Sequence, residues 1–144
     1  MNTALSLLTL SLLLASPSLK GEERMVAPLE AIREKGSVTV SDGSSFYNLR
    51  RDGSFASGPL AEQGRAITGT WKPDERMPGR KFVIEGNWSW INGKWPAEDR
   101  RRMVLDILPG RQRKTTEEER RFTLSEEFLE GYFLVEELVH LGER

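Results

Sequence analysis

One histidine, no cysteine and a scatter of carboxylates are what this sequence offers for chemistry. His140 stands between Val139 and Leu141 near the C-terminus, where a lone imidazole cannot build a multi-histidine metal site. It reads as a surface or edge residue, since no orienting partner accompanies it in sequence. A Ser-His-Asp triad would need it, and no Gly-x-Ser-x-Gly elbow is present. Without cysteine there is no thiol nucleophile, disulfide framework or zinc-thiolate site. Oxygen-ligand Ca²⁺ sites are then the only metal chemistry open, and the Asp-Gly turns lack the spaced carboxylates of an EF-hand loop. No metal and no cofactor is expected. Gly58-Pro59 reads as a turn, not as part of a phosphate loop.

Carboxylates leave no spacing signature, so an acid-dependent hydrolase stays open as an alternative. Asp106, in Val104-Leu105-Asp106-Ile107-Leu108, shares a strand face with Val104 and Leu108, and Glu85 sits beside Val83. Burial at such positions favours the protonated acid. The commoner reason for the pattern is a partly wet outer face of a sheet.

The other residues able to meet a ligand are aromatic. A five-residue pattern of apolar, any, Gly, any, aromatic recurs at Ile67-Thr68-Gly69-Thr70-Trp71, Ile84-Glu85-Gly86-Asn87-Trp88 and Ile91-Asn92-Gly93-Lys94-Trp95. Leu129-Glu130-Gly131-Tyr132-Phe133 is a looser copy. In an extended strand the two large side chains fall on one face with glycine between them. Such a glycine gives room for a neighbouring ring, or permits the bend that a closing barrel needs. The copies are unevenly spaced, so they do not make a solenoid. Trp71 and Trp88 read first as core. Trp88, Trp90 and Trp95 together are the candidate stacking platform for a sugar ring or apolar ligand.

The elements that must hold these residues are mostly strands. Val26 to Lys35 predicts a short helix, with Pro28 suited to its first turn and Gly36 to the position beyond its end. From Gly36 the period changes to two. Val38 and Val40 lead to a turn at Asp42-Gly43, then Phe46 to Leu49, a turn at Asp52-Gly53, and Ser54-Phe55. Further strands are predicted over Ala66 to Trp71, Lys81 to Glu85, Trp88 to Ile91 and Met103 to Leu108, with a hairpin turn at Asn92-Gly93. Phe122 to Leu124 reads as a strand. Leu129 to Leu141 reads as strand or helix. Thr123 with Glu126 would cap a helix, but Gly131 and the aromatic and β-branched residues near it favour a strand. The expected fold is mostly β, an antiparallel small barrel or sandwich with a short N-terminal helix.

The stretch from Tyr47 to Phe55 (YNLRRDGSF), followed by Gly69-Thr70-Trp71 and Phe82-Val83-Ile84, resembles small exported bacterial lipocalin-like domains. The resemblance implies an eight-stranded up-and-down barrel and an apolar ligand, and transfers no catalytic residue. True lipocalins carry Gly-x-Trp on the first strand, whereas here it lies mid-chain.

Met1 to Leu19 carries no charged side chain, and its leucine-rich run is followed by Ala15, Ser16, Pro17 and Ser18. That is how a secretory signal peptide reads, and it is too short to span a bilayer. Residues 1–18 are therefore expected to be removed, with 19–36 as linker and helix and 37–144 as one β-rich domain. The destination would be the periplasm or the exterior, with no stable membrane insertion after cleavage. Lys and Arg number 21 against 22 Asp and Glu, a balance that argues against nucleic acid as partner. Two basic runs, Arg100 to Arg102 and Arg111 to Lys114, have acids beside them and read as a solvated loop or edge. The expected role is an exported, non-enzymatic binding module for a small molecule, glycan or envelope protein. A structural or inhibitory envelope protein that pairs through a sheet edge is the other alternative.

Overall fold

The computed structural model describes residues 24–91 and 99–140. The expected signal segment, the Asn92-Gly93 turn and Trp95 lie outside the described residues. The described residues form ten strands and two short helices in the order β1 (Met25–Val26), α1 (Pro28–Lys35), β2 (Ser37–Ser41), β3 (Ser45–Arg50), β4 (Ser54–Pro59), β5 (Gly64–Pro73), β6 (Lys81–Ile91), β7 (Asp99–Ile107), β8 (Gly110–Lys114), α2 (Glu117–Arg120), β9 (Glu127–Glu130) and β10 (Phe133–His140).

The strands form one sheet in the order β1-β8-β9-β2-β3-β4-β5-β6-β7-β10. Every pairing is antiparallel except β2 with β9, which meet in parallel at Val40 and Leu129. β7 passes into β8 through Leu108-Pro109, and β9 into β10 through Gly131-Tyr132. These two lengths of chain run antiparallel, with Phe133 opposite Ile107 and Arg111 opposite Glu130. Because β9 also pairs with β2 while β7 pairs with β6, the ribbon draws the two ends of the sheet together. The result is a strongly curled, mixed half-barrel.

Two close backbone crossings accompany the curl. Gly69 and Gly86 are directly opposite on β5 and β6, and a Cβ on Gly69 would come within 2.0 Å of the Glu85 carbonyl oxygen. Gly110 and Gly131 approach in the same way in the ribbon, where a Cβ on Gly110 would lie 2.5 Å from the Glu130 carbonyl oxygen. Three glycines of the recurring pattern (Gly69, Gly86 and Gly131) therefore leave room for backbone, and not for an aromatic ring. Gly86 accordingly does not divide two strands, as its sequence suggests, but sits within the continuous β6.

Alternation sends Val38, Val40, Tyr47, Leu49, Phe55, Ile67, Ile84 and Trp88 to the concave side, where they join Phe82, Met103, Leu105, Ile107 and Leu129 in one core. Phe82, Ile84, Leu49 and Leu105 are fully buried. Each such side chain contributes about 1.5–3 kcal/mol through burial. Tyr47 meets Phe133 edge-on at 5.3 Å, and burial raises its phenol above the ordinary value. Trp71 packs edge-on against Phe82, and its indole donates to the Arg50 carbonyl at 2.6 Å.

α1 begins at Pro28 and ends at Gly36, whose positive φ of 92° returns the chain to β2. The C-terminal segment is strand. A capping box does form nearby, but at Thr116 and Glu119, where it starts α2, and not at Thr123 and Glu126. Phe122 to Leu124 is consequently not a strand: the chain leaves α2 there in a turn, and Thr123 Oγ1 accepts from the Ser125 amide. Gly58-Pro59 is the end of β4 and not a turn. The two basic runs lie within strands β7 and β8, so the second was a strand the sequence pattern did not announce.

Candidate binding groove

β2, β3 and β4 present a second stripe of residues on the side away from the core. Thr39 is opposite Asn48, and Asn48 is opposite Ala56. The chain from α2 to β9 folds over this stripe and leaves a groove of about 780 Å³ between itself and the sheet. That volume lies in the range of small-molecule sites.

Its wall is a chain of buried polar groups. Asn48 Nδ2 donates to Thr39 Oγ1 at 2.7 Å, and the Thr39 hydroxyl shares a hydrogen bond of 2.5 Å with that of Ser125. Thr115 Oγ1 donates to the Ser125 carbonyl at 3.1 Å, and the Thr115 amide to that of Glu126 at 3.0 Å. Thr39, Asn48, Thr115 and Thr123 are all buried, and no buried side-chain polar atom among the described residues lacks a partner. The lid is thus held by satisfied hydrogen bonds, each contributing about 0.5–1.5 kcal/mol. Lys35 at the end of α1 closes one side through a 2.6 Å ion pair with Glu127.

Behind the lid, Arg113 grips Glu119 with two 2.9 Å bonds, reaches Glu130 at 2.9 Å and lies over the Phe128 ring. These bonds hold the Glu119 carboxyl down at about 2. The same partners raise the already basic guanidinium further. Arg111 adds a second bond to Glu130 at 2.9 Å, which keeps that carboxyl below its ordinary value. This cross-strand network fixes β8, β9 and α2 as one unit beneath the groove.

The residues singled out by sequence lie elsewhere. Trp88 is only 1% exposed and belongs to the core, so it offers no face to a ligand. Trp90 is 38% exposed near the end of β6, opposite Arg65, and Ile91 beside it is exposed as well. Asp106 is buried, but Arg80 holds it through Nε at 2.7 Å and Nη2 at 3.3 Å. Glu85 is held by Arg102 at 3.0 Å, beside a second cavity of about 410 Å³ over β5–β7. Asp106 pairs with Lys81 and Arg102 with Glu85, four residues further along β6, so the two positions are offset by roughly 13 Å along the strands. Carboxylate pairs in glycosidases stand within about 10 Å. The two do not converge on one site. Among the described residues no cluster of His, Asp or Glu is arranged to hold a metal ion.

Sequence reasoning missed Thr39, Asn48 and Ser125. Asn48 did carry a signal, since asparagine is depleted in strands and here interrupts Phe46-Tyr47-Asn48-Leu49. The lid carried none, because its contacts to β2 span more than eighty residues of chain. No protein-family model matches the chain, and no curated protein or solved structure matches it either.

Proposed function

We propose that this chain is an exported binding module that takes its ligand in the groove over β2–β4. The observation that carries this reading is the polar wall Asn48–Thr39–Ser125 at the base of a cavity of about 780 Å³. Export rests on the uncharged leucine-rich segment before Lys20. A binding role is favoured over carboxylate hydrolysis because Asp106 and Glu85 are separated and each is held by an arginine. A lipocalin-like role, with an apolar ligand on the concave side, has less support. That side is filled by Phe55, Phe82 and Trp88.

A screen of neutral sugars, acidic sugars and acyl compounds by amide chemical shifts tests the reading. Bound ligands are expected to move Thr39, Asn48 and Ser125. Shifts confined to Trp90 and its neighbours, or to the concave core, would sink it. Cell fractionation with N-terminal sequencing tests the export part; an intact Met1 on a cytoplasmic protein would count against it.

One observation favours a second reading, pairing with another chain through a sheet edge. Among the described residues β10 ends the sheet with β7 as its only strand partner, and Tyr132, Leu134 and Val135 beside that edge are exposed. Sedimentation at rising concentration checks this, and a strictly monomeric chain would remove the version in which copies pair with each other.

A further inference from the structure

With the groove taken as the ligand site, we infer that its ligand is an acidic oligosaccharide. Five basic side chains line the groove against two acidic ones, Glu126 and Glu127. One of the five, Lys35, is matched by Glu127. Arg50, Lys114, Arg120 and Arg121 remain, and all four are exposed. Arg120 spends one nitrogen on the Thr115 carbonyl, Arg50 spends one on Ser54, and Arg121 lies over the Phe122 ring. The chain as a whole is near neutral, with a formal charge of −1, so this positive excess is local. It matches a ligand that carries several carboxylates or sulfates.

Charge alone does not separate a sugar from an acidic peptide. The rest of the lining does. Hydroxyl and amide side chains (Ser37, Thr39, Asn48, Gln112, Thr123 and Ser125) share the lining with the rings of Phe46, Phe122 and Phe128. Neutral hydrogen-bonding groups suit ring hydroxyls, and aromatic faces suit the C–H faces of pyranose rings. A purely acyl ligand would make no use of the hydroxyl and amide groups of this lining.

Titration of the ¹⁵N-labelled full chain with oligogalacturonate, a neutral cello-oligosaccharide of equal length and oligoglutamate tests the inference. Oligogalacturonate is expected to shift Thr39, Asn48, Ser125 and Arg121, with affinity that falls as salt rises. The neutral sugar and the peptide should bind at least about ten-fold more weakly. Arg121→Gln and Lys114→Gln, both at exposed positions, should each weaken oligogalacturonate several-fold while leaving the unfolding midpoint unchanged. Equal binding of the neutral sugar in the groove overturns the acidic ligand but keeps the groove as a binding site. Oligoglutamate binding as well as or better than the sugar overturns the glycan in favour of an acidic peptide. Shifts at Arg100–Arg102 in place of the groove, or none from any probe, overturn the inference; the ligand screen above then decides the groove itself.

Discussion

The two sides of β2, β3 and β4 are built from alternate residues of the same short strands, yet they differ in what they bury. On the concave side Val38, Val40, Leu49 and Phe55 give up water for apolar contact, and that contact is sufficient reason for their burial. On the other side Thr39 and Asn48 are almost as well buried, at 3% and 7% exposure, under a lid held by hydrogen bonds. Valine or leucine at those positions would stabilise a plain sheet at least as well. The same hydrogen bonds hold the lid in place, so these polar residues tie the chain from α2 to β9 to the sheet and at the same time line the groove proposed as the ligand site.

The comparison can be broken from the concave side first. Gly69→Val places a side chain where Gly86 and the Glu85 carbonyl already stand, so the half-barrel cannot close. The expected loss exceeds about 4 kcal/mol, read as absence of a cooperative transition in denaturant. Phe55→Ala leaves the strands intact but opens a cavity in the core, with an expected loss of about 3–5 kcal/mol by urea unfolding. Phe55→Ala should not change which ligands the remaining folded protein selects.

Smaller effects sharpen the groove side. Asn48→Ala removes the first donor of the polar wall and leaves Thr39 short of a partner. Stability should fall by about 1–2 kcal/mol while ligand shifts at the groove disappear. The Arg113–Glu119 pair beneath the lid should appear as acid sensitivity. Glu119 titrates near 2 in the folded chain against an ordinary value of 4.5, so its contribution is complete above that value and is lost as pH falls toward 2. With solvent screening the contribution is about 1 kcal/mol. Unfolding midpoints taken from pH 5 down to 2 should therefore fall more steeply in the wild type than in Arg113→Gln. Arg121→Gln, smallest of all, should leave stability within about 0.5 kcal/mol.

Much of the frame was legible in the residues. Alternation from Val38 onward, the Asp-Gly turns and the Pro28–Gly36 punctuation located α1 and the first strands, because each depends on local backbone preference. The recurring glycines were visible too. Their reason was not, since Gly69 meets Gly86 only once β5 and β6 are in register. β8 escaped notice because Arg111 to Lys114 shows no alternation of apolar residues, and its partner strand β9, where Glu130 meets Arg111, follows only after α2. The groove escaped notice for the same cause. Tryptophans drew attention as large aromatics, whereas the wall of the proposed site is made of threonine, asparagine and serine brought together across the fold.

The most direct test of the account is a map of amide shifts on the labelled full chain at saturation with the tightest ligand from the screen. The largest changes are expected at Thr39, Asn48, Ser125 and Arg121, with Phe82 and Trp88 unmoved. A map centred on Trp90, or on the concave core, with the lid from Arg120 to Glu127 silent, would contradict it.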